Sequence, residues 1–161
     1  SEPGKGSTFY FTQTFACANE PVAETGNALP QVQTEQLLRG IRILLVEDNP
    51  LNVLVAQTML ENNGAMVDVA INGAEALEKV DGRSHQLILM DLHMPVMDGY
   101  EATVQLRKRG ETVPIIALTA STPKEVESEA FAAGLNDVVV KPFSPDELYR
   151  VILQHVQPQL Q

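Results

Sequence analysis

The sequence predicts an α/β fold, a five-stranded parallel sheet wound on both faces by five helices. Three observations point there. After Gly40, short apolar runs alternate with amphipathic stretches five times, the order that builds a parallel sheet covered by helices. Four of the five runs are continuously apolar, as strands buried on both faces must be. Helix-opening signals, an Asn, Asp, Ser or Thr followed by Pro or Glu, stand before the amphipathic stretches.

The elements follow in order. Ile43-Leu44-Leu45-Val46 reads as the first strand. Asn49 and Pro50 fit N-cap and first helical position, and Asn63-Gly64 a helix C-terminus. Val67-Asp68-Val69-Ala70 is the one run with a polar residue inside it, which places it at a sheet edge. Asn72 caps a second helix through Val80, and Leu87-Ile88-Leu89-Met90 is the third strand. Asp98 opens a third helix ending at Arg109-Gly110, with cations at the negative end of its dipole. Ile115-Ile116-Ala117-Leu118 and Val138-Val139-Val140 are the last two strands. Thr122-Pro123-Lys124-Glu125 and Ser144-Pro145-Asp146-Glu147 both fit a capping box with proline at the first position. They open helices ending near Gly134 and Gln157.

Composition narrows the function. The 161 residues suffice for one domain and a tail, at about 150 residues per domain. With 11 basic and 21 acidic residues the net charge is −10, which opposes binding to nucleic acid or an anionic membrane surface. No apolar run approaches the length of a membrane span. Cys17 is the only cysteine, so an internal disulfide and a Cys-based zinc cage are excluded. Residues 1–40 are richer in Gly, Pro, Thr, Gln and Asn, and their few charges leave −8 of the net −10 to the periodic part. Ser1 in place of a methionine reads as a cut point within a longer protein.

In an open α/β sheet the site lies beyond the carboxyl ends of the strands. There the first strand ends in Glu47-Asp48, the third in Asp91, the fourth in Thr119 and the fifth in Lys141-Pro142. Three clustered carboxylates repel one another, and hard oxygen ligands select Mg²⁺ or a similar ion. A hydroxyl and an ammonium beside them suit a phosphoryl group. Any one acidic residue at a strand end is an ordinary solvated cap; compatible residues at consecutive strand ends are not.

These residues lie in motifs. ILLVEDNPLN (43–52), LILMDLHMPVMDGYEA (87–102), IIALTA (115–120) and VVVKPF (138–143) resemble, in combination and order, the receiver domain of two-component response regulators. The resemblance covers residues 41–157 and implies a doubly wound, flavodoxin-like sheet of strand order 2-1-3-4-5. It implies that Asp91 accepts a phosphoryl group as an acyl phosphate. Asp48, Asp91 and the carbonyl of His93 would ligate Mg²⁺, with Glu47 holding a metal-bound water. Thr119 and Lys141 would bind the phosphoryl oxygens, aided by backbone N–H groups near His93 and Ala120, and Pro142 would follow a cis bond. His93 and Ser121 occupy positions that in this family modulate phosphate lifetime, and Val138 stands where the family usually has a switching aromatic ring.

A second resemblance lies at the other end. SEPGKGSTFYFT (1–12) is similar to the last loop and strand of the ATP-binding domain of sensor histidine kinases. The implied organisation is a kinase remnant over 1–16, a flexible linker over 17–40 and a receiver over 41–161, the order of a hybrid sensor kinase. Its partners would be the kinase core of the same parent chain and a histidine phosphotransfer protein, and its place the cytoplasm. It would be a monomer with no nucleic-acid or direct membrane contact. No DNA-binding output domain follows before Gln161, which favours a relay. The kinase's own ATP motifs and phosphoacceptor histidine are absent. The alternative is a stand-alone Mg²⁺-dependent aspartyl phosphatase or phosphotransferase. That class needs DxD on the first strand, whereas Asp91-Leu92-His93 ends the third. His85 and His155 are expected to be solvated, and Met90, Met94 and Met97 to be packing and loop residues. Thr34–Arg39 is expected to turn, bringing Leu37 and Leu38 onto apolar surface.

Overall fold

The computed structural model describes residues 36–80, 84–121 and 123–156. The kinase-like segment, Cys17, Thr122 and Gln157 lie outside them. Among the described residues ten elements alternate strictly: β1 (Arg42–Val46), α1 (Pro50–Asn62), β2 (Met66–Ala70), α2 (Gly73–Lys79), β3 (Leu87–Asp91), α3 (Gly99–Lys108), β4 (Ile115–Thr119), α4 (Pro123–Ala133), β5 (Asp137–Val140) and α5 (Pro145–His155). The strands form one parallel sheet of order β2-β1-β3-β4-β5. Strand β2, interrupted by Asp68, is an edge as its polarity requires.

Continuous apolar runs serve this sheet because successive side chains point to opposite faces. Ile43, Leu45, Leu87, Leu89, Ile116 and Leu118 enter one core layer with Ala56 and Leu60 of α1 and Leu148 and Ile152 of α5. Leu44, Val46, Ile88, Met90, Ile115 and Ala117 enter the other, against Ala76 of α2, Ala102 and Leu106 of α3 and Ala130 of α4. Met90 and Met94 are core residues, and Met97 packs against the second layer.

The caps act as their chemistry demands. Asn49 Oδ1 accepts the Leu51 N–H at 2.9 Å, Asn72 the Glu75 N–H at 2.8 Å, Asp98 the Glu101 N–H at 2.8 Å and Ser144 the Glu147 N–H at 3.2 Å. Each satisfies an orphan donor of a first turn. Helix α1 is C-capped by Asn63, followed by Gly64 at φ +88°, a left-handed position suited to glycine.

Packing begins upstream of β1. Residues 37–40 form a turn in which Leu38 is wholly buried while Leu37 stays exposed. The Leu38 N–H donates to the Asn63 carbonyl at 2.9 Å, so the turn is fastened to the end of α1. Burial of a leucine contributes roughly 1.5–3 kcal/mol.

His85 corrects the sequence expectation of a solvated loop residue. It is buried, with Nε2 2.9 Å from Asp68 Oδ2, and Arg42 Nε donates to that same oxygen at 2.9 Å. The edge-strand aspartate makes burial of the ring possible, since a buried imidazole needs a polar partner. His155, half-buried, likewise pairs with Asp137 at 2.9 Å.

Candidate phosphoacceptor and cation site

Parallel strands of matched register bring their carboxyl ends to one rim. Val46 is opposite Met90, Asp91 opposite Leu118, and Thr119 opposite Val140. The next residues therefore meet: Glu47 and Asp48 after β1, Asp91 at the end of β3, Thr119 at the end of β4 and Lys141 after β5. One oxygen from each of Glu47, Asp48 and Asp91 lies within 4.8 Å of the others. Glu47 and Asp91 are buried, and Asp48 is exposed. All three donors are hard oxygens and one faces solvent, a set that fits Mg²⁺ with its retained waters.

Lys141 crosses the rim. Its ammonium lies 2.5 Å from Glu47 Oε2 and 2.6 Å from Asp91 Oδ2. Burial alone would push this ammonium's pKa down; hydrogen bonds and charge from Asp91 and Glu47 outweigh it and hold the value above that of an ordinary lysine. The peptide bond to Pro142 is cis. One ammonium against three carboxylates still leaves the rim about two charges negative.

Each buried oxygen has a donor. Asp91 Oδ1 accepts the His93 N–H at 2.9 Å, while the rest of His93 is exposed. Glu47 Oε1 accepts the Asn52 amide at 3.0 Å and the Asn49 N–H at 3.3 Å. Thr119 is fully buried; its hydroxyl accepts the Ser121 N–H at 3.1 Å, and its carbonyl the Lys141 N–H at 2.7 Å. Ala120, beside it, is exposed. Gly99, which opens α3, sits where a Cβ would collide with the Asp91 carbonyl, so only glycine lets α3 start this close to Asp91. In the same loop Val96 holds φ +72°, costly for a β-branched residue and stored beside the site.

The structure thus joins Glu47, Asp48, Asp91, Lys141 and the His93 backbone directly, and ties Thr119 to Lys141 through the main chain. Sequence reasoning missed Asn52. Its three-residue offset from the Asn49 cap, which puts both on one face of the first turn, was the available signal. It also missed a groove of about 360 Å³ between α1 and the turn after β5, lined by Glu47, Leu51, Asn52, Val55, Met59 and Phe143.

A 2-1-3-4-5 doubly wound sheet with this acid rim, a strand-end threonine and a strand-end lysine defines the receiver class. Residues 43–153 match the family described as response regulator receiver domain, and the chain belongs to that family. It is 37% identical over 155 residues to the aerobic respiration control sensor protein ArcB of Escherichia coli, covering 94% of this chain and 19% of that protein. It is 34% identical over 151 residues to a probable histidine kinase 1 of rice, covering 73% of this chain and 16% of the relative. The chain therefore spans less than a fifth of either relative's length. Among solved structures, the receiver domain of sensor histidine kinase PA1611 from Pseudomonas aeruginosa superposes with a TM-score of 0.65 at 40% identity. That match covers 73% of this chain and 98% of the other, which was solved with a magnesium ion coordinated in its active-site cleft.

Proposed function

We propose that this chain is the phosphoacceptor receiver of a hybrid sensor histidine kinase. It takes a phosphoryl group from a histidine onto Asp91 and relays it to a histidine phosphotransfer protein. The observation that carries the reading is the buried Asp91 carboxylate, held by Lys141 and the His93 N–H on a rim with two further acids.

In the proposed transfer a carboxylate oxygen of Asp91 bonds to phosphorus as the P–N bond to the donor histidine breaks. The imidazole nitrogen keeps the electron pair and takes up a proton. Two donors already fix the Asp91 oxygens, so the nucleophile is oriented before substrate arrives. Lys141 provides a point charge for the incoming phosphoryl oxygens, and Thr119 a hydroxyl. Glu47, Asp48 and Asp91, with the His93 carbonyl, would hold Mg²⁺, which when bound reduces the repulsion between carboxylate and phosphate. Backbone N–H groups at Ala120 and His93 complete the phosphoryl cradle.

The relay partner would dock along α1. Leu51, Leu54 and Val55 are exposed there, beside the groove that opens toward Glu47 and Lys141, and an apolar helix face of the phosphotransfer protein could cover them while presenting its histidine. The match to ArcB leaves out only 6% of this chain and so runs well upstream of residue 43. That supports a kinase remnant over 1–16 and a linker over 17–40 ahead of the receiver. A cytoplasmic location goes with this reading; among the described residues no helix is long and apolar enough to cross a membrane.

The test is mass measurement after incubation with acetyl phosphate. Wild type should gain one phosphoryl group in Mg²⁺ and none in EDTA, and Asp91→Asn should gain none. An adduct on Asp91→Asn equal to wild type, or one indifferent to EDTA, would overturn the assignment.

A further inference from the structure

We infer that Asn52 is a positioning residue of this site, acting on a bound cation through Glu47. The inference rests on the phosphoacceptor reading above. Glu47 is only 2% exposed, so both carboxylate oxygens need donors inside the protein. Oε2 takes the Lys141 ammonium at 2.5 Å. Oε1 takes the Asn52 amide at 3.0 Å and the longer Asn49 N–H at 3.3 Å. A carboxylate only accepts, so the amide nitrogen of Asn52 is the end that faces it. Donors on both oxygens stop the carboxylate from turning about its last bond.

The consequence is a preset acid. A cation entering between Glu47, Asp48 and Asp91 meets a carboxylate whose orientation costs nothing to arrange. Without the amide, Oε1 retains one long backbone bond, and Glu47 can turn further toward Lys141, the ammonium that competes for the same charge. The residue type fits the task. An acid at position 52 would add a further negative charge to a rim already in excess, and a lysine would place a permanent ammonium there. An asparagine donates a hydrogen bond with no net charge. Asn52 is itself exposed on the first turn of α1, so its replacement leaves the core intact.

The experiment titrates the full chain with Mg²⁺ alone and follows heat or the metal-induced rise in melting temperature. Asn52→Leu keeps the branched shape and the number of heavy atoms and removes the donor. Its Kd for Mg²⁺ should rise about tenfold, the low end of what loss of a supporting hydrogen bond costs a metal site, since Asn49 remains. Asn52→Gln, which keeps an amide, should recover most of the affinity. At saturating Mg²⁺ the acetyl phosphate rate of Asn52→Leu should stay within about twofold of wild type, because Asn52 does not touch the reacting atoms. Gln57→Ala, elsewhere on α1 where the amide bonds Glu61, should leave the affinity unchanged. Wild-type Mg²⁺ affinity in Asn52→Leu would overturn the inference, as would an equal loss in Gln57→Ala. A wild type that takes up no Mg²⁺ would overturn the phosphoacceptor reading, and this inference with it.

Discussion

Two charged clusters in this molecule use similar chemistry for opposite ends. At the rim, one ammonium faces Glu47, Asp48 and Asp91. At the β2 edge, among the described residues, Asp68 faces Arg42 and His85. Among the described residues the edge cluster sets one guanidinium against one carboxylate, and it joins β1, β2 and the approach to β3. The rim cluster is left negative and has an exposed carboxylate. A charge set that balances itself is cement; one left unbalanced on a concave rim invites a ligand of the opposite sign.

The largest effect expected to separate them is metal stabilisation. Mg²⁺ at a hundred times its Kd should stabilise wild type by about 2.7 kcal/mol in denaturant titrations. Asp48→Asn should lose most of that gain, and Asp68→Asn should keep all of it. Equal Mg²⁺ stabilisation of wild type and Asp48→Asn would erase the distinction.

Next in size are the metal-free stabilities, which should move in opposite directions. Asp48→Asn removes like-charge repulsion and should gain about 0.5–1 kcal/mol, a melting temperature a few degrees higher. Asp68→Asn loses the partner of Arg42 and of the buried His85 and should melt lower. Both Asp68 and Arg42 are roughly two-fifths exposed, so solvent screening keeps the Arg42 share below about 1 kcal/mol.

The pH limbs should differ as well. Hydrogen bonds from Arg42 and then His85 hold the Asp68 carboxyl below its ordinary 3.8. Its contribution is present above that value and lost as pH falls through the lower folded one. The stability difference between wild type and Arg42→Gln should therefore be full at about pH 6 and vanish in strong acid. Lys141 behaves inversely: its folded value is raised, so its contribution is complete below the ordinary 10.5 and lost only as pH climbs through the higher folded one. An Arg42→Gln difference that persists unchanged in strong acid would show that Asp68 is not its source.

The smallest signal is conformational. Beryllofluoride with Mg²⁺ should move backbone amides around Asp91 and Thr119–Ser121, leaving Arg42, Asp68 and His85 nearly still. Val138 packs partly buried against the second core layer and has no ring to swing, so changes along β5 should be modest. Shifts over residues 136–152 as large as those at Asp91 would show a stronger switch than a valine implies.

Local chemistry made much of this legible. Asn49-Pro50, Asn72, Asp98 and Ser144-Pro145 announce helix starts because a short polar side chain can satisfy orphan N–H groups within its own turn. The polar Asp68 marked β2 as an edge. The rim acids could be named once the strands were, since in parallel strands the carboxyl ends share a side. His85 was misread because its partner Asp68 lies 17 positions away in the chain, on a strand that only folding brings beside it. Asn52 was missed because its partner Glu47, though only five residues off, lies across a strand end that only folding turns toward α1.

By itself, then, the sequence determined which segments are strands and helices, which edge β2 occupies in kind, and which side chains end the strands. Those depend on periodicity and on contacts within a turn or two. Only the tertiary structure decided that Lys141 spans Glu47 and Asp91, that Asn52 holds the far oxygen of Glu47, that His85 is buried and that, of Leu37 and Leu38, only the second enters the core. Each is a contact whose geometry is set by packing elements against one another, and hydrogen bonds of 2.5–3.0 Å at Glu47 and Asp91 exist only where that packing is specific.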